Sequence, residues 1–119
     1  MPNLKLGHLE LFVHDPARSR DFYRDILGFE VISEQGESFI WLRSNDREIL
    51  LRRSEFSNEA AVYKEAAIAF VLYTDDLPAM LNELMQKGLL PRGNDGSSKC
   101  PTFTDPDGHW FQIVNPQDH

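Results

Sequence analysis

The side chains able to do chemistry in this chain are few and dispersed. There are four histidines and one cysteine, with carboxylates on alternating stretches rather than in a compact signature. His8 shares one face of an alternating run with Glu10 and Phe12, while Leu9, Leu11 and Val13 form the other. An imidazole beside a carboxylate can ligate a metal, move a proton or hold a ligand. Gln112, on the last alternating run, offers only a neutral amide that cannot take a proton. Glu48 and Arg52 lie on one face of another run and read as a surface salt bridge. Trp41, Phe103 and Trp110 are placed by alternation as an apolar wall suited to a planar organic molecule. Cys100 has no adjacent base to make it a nucleophile. His14, Asp107 and His109 fall at junctions and read as structural. Neither a phosphate-binding glycine loop nor a Ser-His-Asp signature occurs.

The elements that must position these residues occur twice. His8–Val13 aligns with Ala67–Leu72 at an offset of 59, and Asp15 and Gly28 align with Asp75 and Gly88 at an offset of 60. Each copy reads as strand, helix and strands, and units this small must pack together to bury their apolar faces. In the first copy the strands are expected at Leu4–Val13, Phe29–Gln35, Ser38–Arg43 and Glu48–Arg53. Asp15-Pro16 starts the helix and Gly28 stops it. In the second copy the strands are Ala67–Tyr73, Leu89–Arg92, Cys100–Thr104 and His109–Asn115. Asp75 or Asp76 caps a helix whose buried stripe is Leu77, Met80, Leu81, Leu84 and Met85. Ser54–Glu65 is the linker, with room for a short helical turn, and Gly93–Lys99 is a loop expected to be mobile.

Size and charge bound the rest. The 119 residues make one domain, with modules at about 4–53 and 66–116. A net charge of −7 argues against nucleic acid and anionic membrane surfaces. No apolar run is long enough to span a bilayer. A lone cysteine excludes an internal disulfide, and Met1–Gly7 shows no signal-peptide core, so a cytoplasmic protein is expected.

The order βαβββ–βαβββ, the opening Gly7-His8-Leu9-Glu10-Leu11-Phe12-Val13, the helix Ser19-Arg20-Asp21-Phe22-Tyr23 with Leu27-Gly28-Phe29, and the closing Asp105-Pro106-Asp107-Gly108-His109-Trp110-Phe111-Gln112-Ile113 resemble the vicinal oxygen chelate superfamily. That group includes glyoxalase I, bleomycin-resistance proteins, fosfomycin-resistance thiol transferases and extradiol dioxygenases. The resemblance implies an α+β fold in which paired βαβββ modules form a half-open curled sheet around a cleft, and a homodimer. It also implies divalent-metal ligands on the first and last strands of each copy. Those positions fall on His8, Leu50, Ala67 and Gln112. Only His8 and Gln112 can donate, with Glu48 as a third donor if the alignment slips by two residues, and Glu10 or another subunit as further sources. A catalytic divalent ion needs about three protein donors. The expectation is therefore a cleft that binds a small organic molecule without a complete metal site. It would be lined by His8, Glu10, Trp41, Leu50, Ala67, Phe103, Trp110 and Gln112. The alternative is a glyoxalase-like lyase or isomerase, or a dioxygenase, using Zn, Ni, Mn or Fe.

Overall fold

The computed structural model describes residues 2–55, 60–97 and 100–118. Two sheets carry the fold. The first has the order β1-β4-β3-β2, built from β1 (Leu9–Val13), β2 (Glu30–Gln35), β3 (Phe39–Ser44) and β4 (Arg47–Arg53). The second has the order β5-β7-β6, built from β5 (Ala69–Tyr73), β6 (Thr102–Thr104) and β7 (Trp110–Val114). In each, the first strand runs parallel to the last: Leu9 pairs with Ile49 and Ala69 with Trp110. The duplication read from the residues is thus a duplication of topology, an α+β arrangement with no closed barrel among the described residues.

Local chemistry explains the element boundaries. Helix α1 (Pro16–Asp21) starts where the Asp15 carboxylate accepts from the Ala17 and Arg18 amides. It relaxes into one π-helical turn over Phe22–Ile26 and stops at Gly28, whose φ of 77° suits a residue without Cβ. Helix α2 (Leu77–Gln86) is capped by Asp76, which accepts from the Ala79 amide, and is followed by Gly88. Leu84 is its buried residue, with Leu77 and Met80 packed beside it, whereas Met85 faces outward.

Two strand expectations need correction. Leu4–His8 stays outside the strand: the β1–β4 ladder starts at the Leu9–Ile49 pair, although β4 itself reaches back to Arg47. Leu89–Arg92 does not enter the second sheet as a strand, which leaves three strands there; nearby, Asn94 makes an isolated bridge to Pro101. Within the Gly93–Lys99 loop, Ser98 and Lys99 lie outside the described residues, as do 56–59 of the linker.

One core serves both halves. Leu11, Val13, Ile40 and Leu42 from the first sheet join Phe111 and Ile113 from the second. Helix α1 and its π-helical turn form the seam: Phe22 packs on Phe103, and Tyr23 on Phe111. Phe103 and Phe111 stack with planes 5° apart.

A polar cluster closes the same seam. The Asp105 carboxylate, with no exposed side-chain surface, accepts from the Tyr23 hydroxyl at 2.6 Å and the His109 ring at 2.7 Å. It also accepts from the amides of Asp107 and His109. Asp107 in turn accepts from the Ser19 hydroxyl and the His14 amide. The last turn of the second half thereby grips the helix of the first. Burial pushes the Tyr23 hydroxyl well above its ordinary pKa, with Asp105 adding to the effect, so it stays a donor. Burial opposes the charge on His109, but Asp105, with Asp107 behind it, outweighs that and raises its pKa.

Candidate functional site

The faces of the two sheets turned away from the shared core carry the expected site residues, divided into two groups. On the first sheet, register places Glu10, Leu50 and Trp41 side by side across β1, β4 and β3. Phe12, Arg52 and Phe39 form the next row. His8, just ahead of β1, sets its ring edge-on to Trp41 with centroids 4.6 Å apart. Its Nε2 lies 3.8 Å from Glu10, and Glu10 accepts from Arg52 Nε at 2.7 Å. The Arg52 guanidinium sits 4.9 Å above the Phe39 ring. The result is an aromatic floor crossed by a His8–Glu10–Arg52 chain.

Arg52 therefore pairs with Glu10 rather than with Glu48 as alternation alone suggested. The parallel insertion of β1 beside β4 brings Glu10 within reach, one position diagonal to Arg52. Glu48 stays exposed at the rim. A cleft of about 1010 Å³ opens beside it between the two halves, with His8, Trp41, Val71, Tyr73 and Met80 in its walls. Gln112 and Trp110 do not line that cleft.

The second group sits on the other sheet. Ala69 beside Trp110 and Val71 beside Gln112 share one face, joined by Thr104 and Thr102 of β6. Ala60 and Tyr63 of the linker lie against it. Tyr63, in a short 3-10 turn over Tyr63–Glu65, accepts from the Gln112 amide at 3.0 Å. Its ring meets Trp110 at 90°. The indole N–H of Trp110 donates to the Ala60 carbonyl at 2.9 Å. Arg92 stacks over the indole at 4.7 Å and donates to Thr104. Trp110 is left 3% exposed. Ala67 precedes β5 and is exposed.

Phe103 does not belong to this face. Its register partner is Phe111, a core residue, so it points into the interior and is 1% exposed. A one-residue change of register exchanges the faces of a strand, and the threonines flanking Phe103 take the position assigned to it. Tyr63 and Arg92 were not singled out from the residues. Arg92 sits outside any strand and Tyr63 in a polar linker, and no periodic pattern marks either.

Within one chain, the described residues do not bring a full set of divalent-metal donors together. Leu50 and Ala67 are apolar, Glu10 is engaged by Arg52, and the Gln112 amide is engaged by Tyr63. No three His, Cys, Asp or Glu side chains converge among the described residues.

Fold, duplicated topology and closing turn together define the class. The chain belongs to the Glyoxalase/Bleomycin resistance protein/Dioxygenase superfamily, whose model matches residues 5–113. Among particular proteins, it is 31% identical to the metallothiol transferase FosB of Staphylococcus haemolyticus, over 91% of this chain and 81% of that protein. Its fold resembles that of a lactoylglutathione lyase from Agrobacterium tumefaciens, with a TM-score of 0.72, 16% identity and coverage of 98% and 97%. It likewise resembles a mutant of the fosfomycin resistance protein FosX from Listeria monocytogenes, complexed with Mn(II) and 1S,2S-dihydroxypropylphosphonic acid. That match has a TM-score of 0.71, 17% identity and coverage of 92% and 88%. No helix among the described residues is long and apolar enough to cross a membrane.

Proposed function

We propose that this protein binds a small, partly aromatic organic molecule in its cleft, without a complete metal site. The observation that carries the reading is the pair of aromatic rings in the cleft wall, His8 against Trp41, with Phe39 continuing the aromatic floor on the neighbouring sheet face and buried Leu50 standing where the superfamily pattern puts a metal ligand. Apolar walls with a few convergent polar groups favour an organic ligand. The two modules act as a single domain, in the cytoplasm, and as a homodimer. Support for the dimer comes from the sheet edges: β1 and β5 are both edge strands, and Leu4, Leu6, Phe12, Ile68, Val71 and Tyr73 are exposed on or beside them. A second copy would bring another sheet to the His8 face.

A second reading is metal-dependent thiol transfer to a small phosphonate, or glyoxalase-like isomerisation. His8 and the likeness to FosB and to manganese-bound FosX favour it. Its donors would be His8 and Gln112, with Glu48 or a residue of a second copy as the third.

Elemental mass spectrometry of the untagged protein separates the two, followed by thermal shift with Zn, Ni, Mn and Fe(II), and with fosfomycin in the ligand panel. The expected result is no stoichiometric metal, no metal-dependent shift, and stabilisation by an organic ligand that is lost in Trp41→Ala. A near-stoichiometric metal lost in His8→Ala would overturn the first reading in favour of the second.

A further inference from the structure

The second sheet's face already holds a ligand-like group, the phenol of Tyr63. Gln112 donates its amide to the hydroxyl, and Trp110 meets the ring edge-to-face. That combination is how a protein recognises a phenolic molecule: one fixed polar partner for the oxygen and one aromatic plane for the ring. The side chains beside it are small: Ala69 puts only a methyl beside Trp110, and the flanking residues on β6 are threonines.

Among the described residues, the hold on the linker includes the Gln112–Tyr63 bond, the edge-to-face contact of Tyr63 with Trp110, the Trp110 indole bond to Ala60 and a longer contact of 3.5 Å from Arg92 to the Ala61 carbonyl. Tyr63 and Gln112 are half-buried, and the turn around Tyr63 is only three residues long. Such a segment exchanges at little cost for another group that makes the same contacts.

We propose that the Trp110–Gln112 face is a recognition subsite for a phenolic ring, and that Tyr63 occupies it as a built-in competitor in the free chain. The subsite is separate from the cleft, which Trp110 and Gln112 do not line, and it brings its own ligand class and form of regulation: a phenolic ligand binds by displacing the chain's own phenol. Burial lifts the Tyr63 hydroxyl above its ordinary pKa, although the Gln112 bond opposes this, so the resident group is a neutral phenol. Losing the hydroxyl–amide bond shifts the balance toward the open form by about two- to tenfold.

p-Cresol, which is the tyrosine side chain without its backbone, is the probe. Of the chain's two tryptophans, Trp41 is changed to Phe so that Trp110 gives the one indole signal. In that background Tyr63→Ala is expected to speed hydrogen exchange of the Trp110 indole. Adding p-cresol should then shift the Trp110 indole and Gln112 side-chain amide resonances saturably, and toluene, which lacks the hydroxyl, should bind more weakly. With Tyr63 in place p-cresol should bind at least tenfold more weakly than to Tyr63→Ala. Should Tyr63→Ala fail to fold, Tyr63→Phe serves instead, with p-cresol affinity up by about two- to tenfold over the parent. The proposal falls if the folded variant ignores p-cresol, or if p-cresol binds equally well with Tyr63 present. Neither result depends on metal or fosfomycin binding, so this subsite and the first sheet's cleft stand or fall separately.

Discussion

Replacing Tyr23 with phenylalanine removes one oxygen from the seam between the two halves and leaves the packing volume unchanged. That oxygen donates to Asp105 at 2.6 Å from a side chain with no exposed surface. Asp105 then keeps three of its four donors: the amides of Asp107 and His109 and the His109 ring. A hydrogen bond to a charged group contributes about 1.5–3 kcal/mol, and the phenyl ring preserves the contacts with Phe29 and Phe111. Tyr23→Phe is therefore expected to cost about 2 kcal/mol. At about 2.1 cal/mol/K of unfolding entropy per residue, a chain of 119 residues loses on the order of 8 °C in Tm. Urea titration followed by far-UV circular dichroism, at fixed protein concentration because dimerisation would couple to stability, measures it. The expected signature is a lower midpoint with an unchanged slope. A loss under about 0.5 kcal/mol would refute the view that this cluster holds the halves together, since surface changes commonly do no more than that.

The same cluster has a pH signature. His109 has a raised folded pKa, so its contribution is complete below the unfolded value of about 6.5 and is lost as pH rises through the folded value. His109→Gln should thus trail the parent most below about pH 6.5 and close the gap as pH rises through the raised folded value, and a gap independent of pH would contradict the assignment. Arg52→Ala breaks a half-exposed ion pair with Glu10 and should cost less than about 1 kcal/mol in a urea titration, because screened surface pairs contribute little. Gln112→Glu alone should create no nickel- or zinc-dependent isomerase activity, since Leu50 and Ala67 still offer no donor. Activity in that variant would mean that a third ligand is in place.

What the residues disclosed and what they hid follow from the range of the interactions involved. The duplication, the first cap and both helix stops were legible because each depends on local chemistry, and of Asp75 and Asp76 it is Asp76 that caps the second helix: Asp15 and Asp76 bond to amides two or three residues on, and Gly28 and Gly88 take positive φ. Alternation also separated the core face of β1 from the His8 face. It failed at Phe103, since β6 has only three residues and its register is set by β7, not by any pattern of its own. It failed at Arg52 for a related reason: the choice between Glu48 and Glu10 is made by which strand lies beside β4. The seam and the Tyr63 contact were the least accessible. Tyr23 reaches Asp105 across 82 positions and Gln112 reaches Tyr63 across 49, so only the packed chain relates them. Fold is thus encoded redundantly at short range, whereas this site is composed of long-range pairings that a superfamily can vary without disturbing the scaffold. Leu50, in β4, and Ala67, just ahead of β5, are positions of that kind: each offers no donor to a metal and leaves the neighbouring strand pairing intact, and that is the variation on which the proposed organic-ligand reading rests.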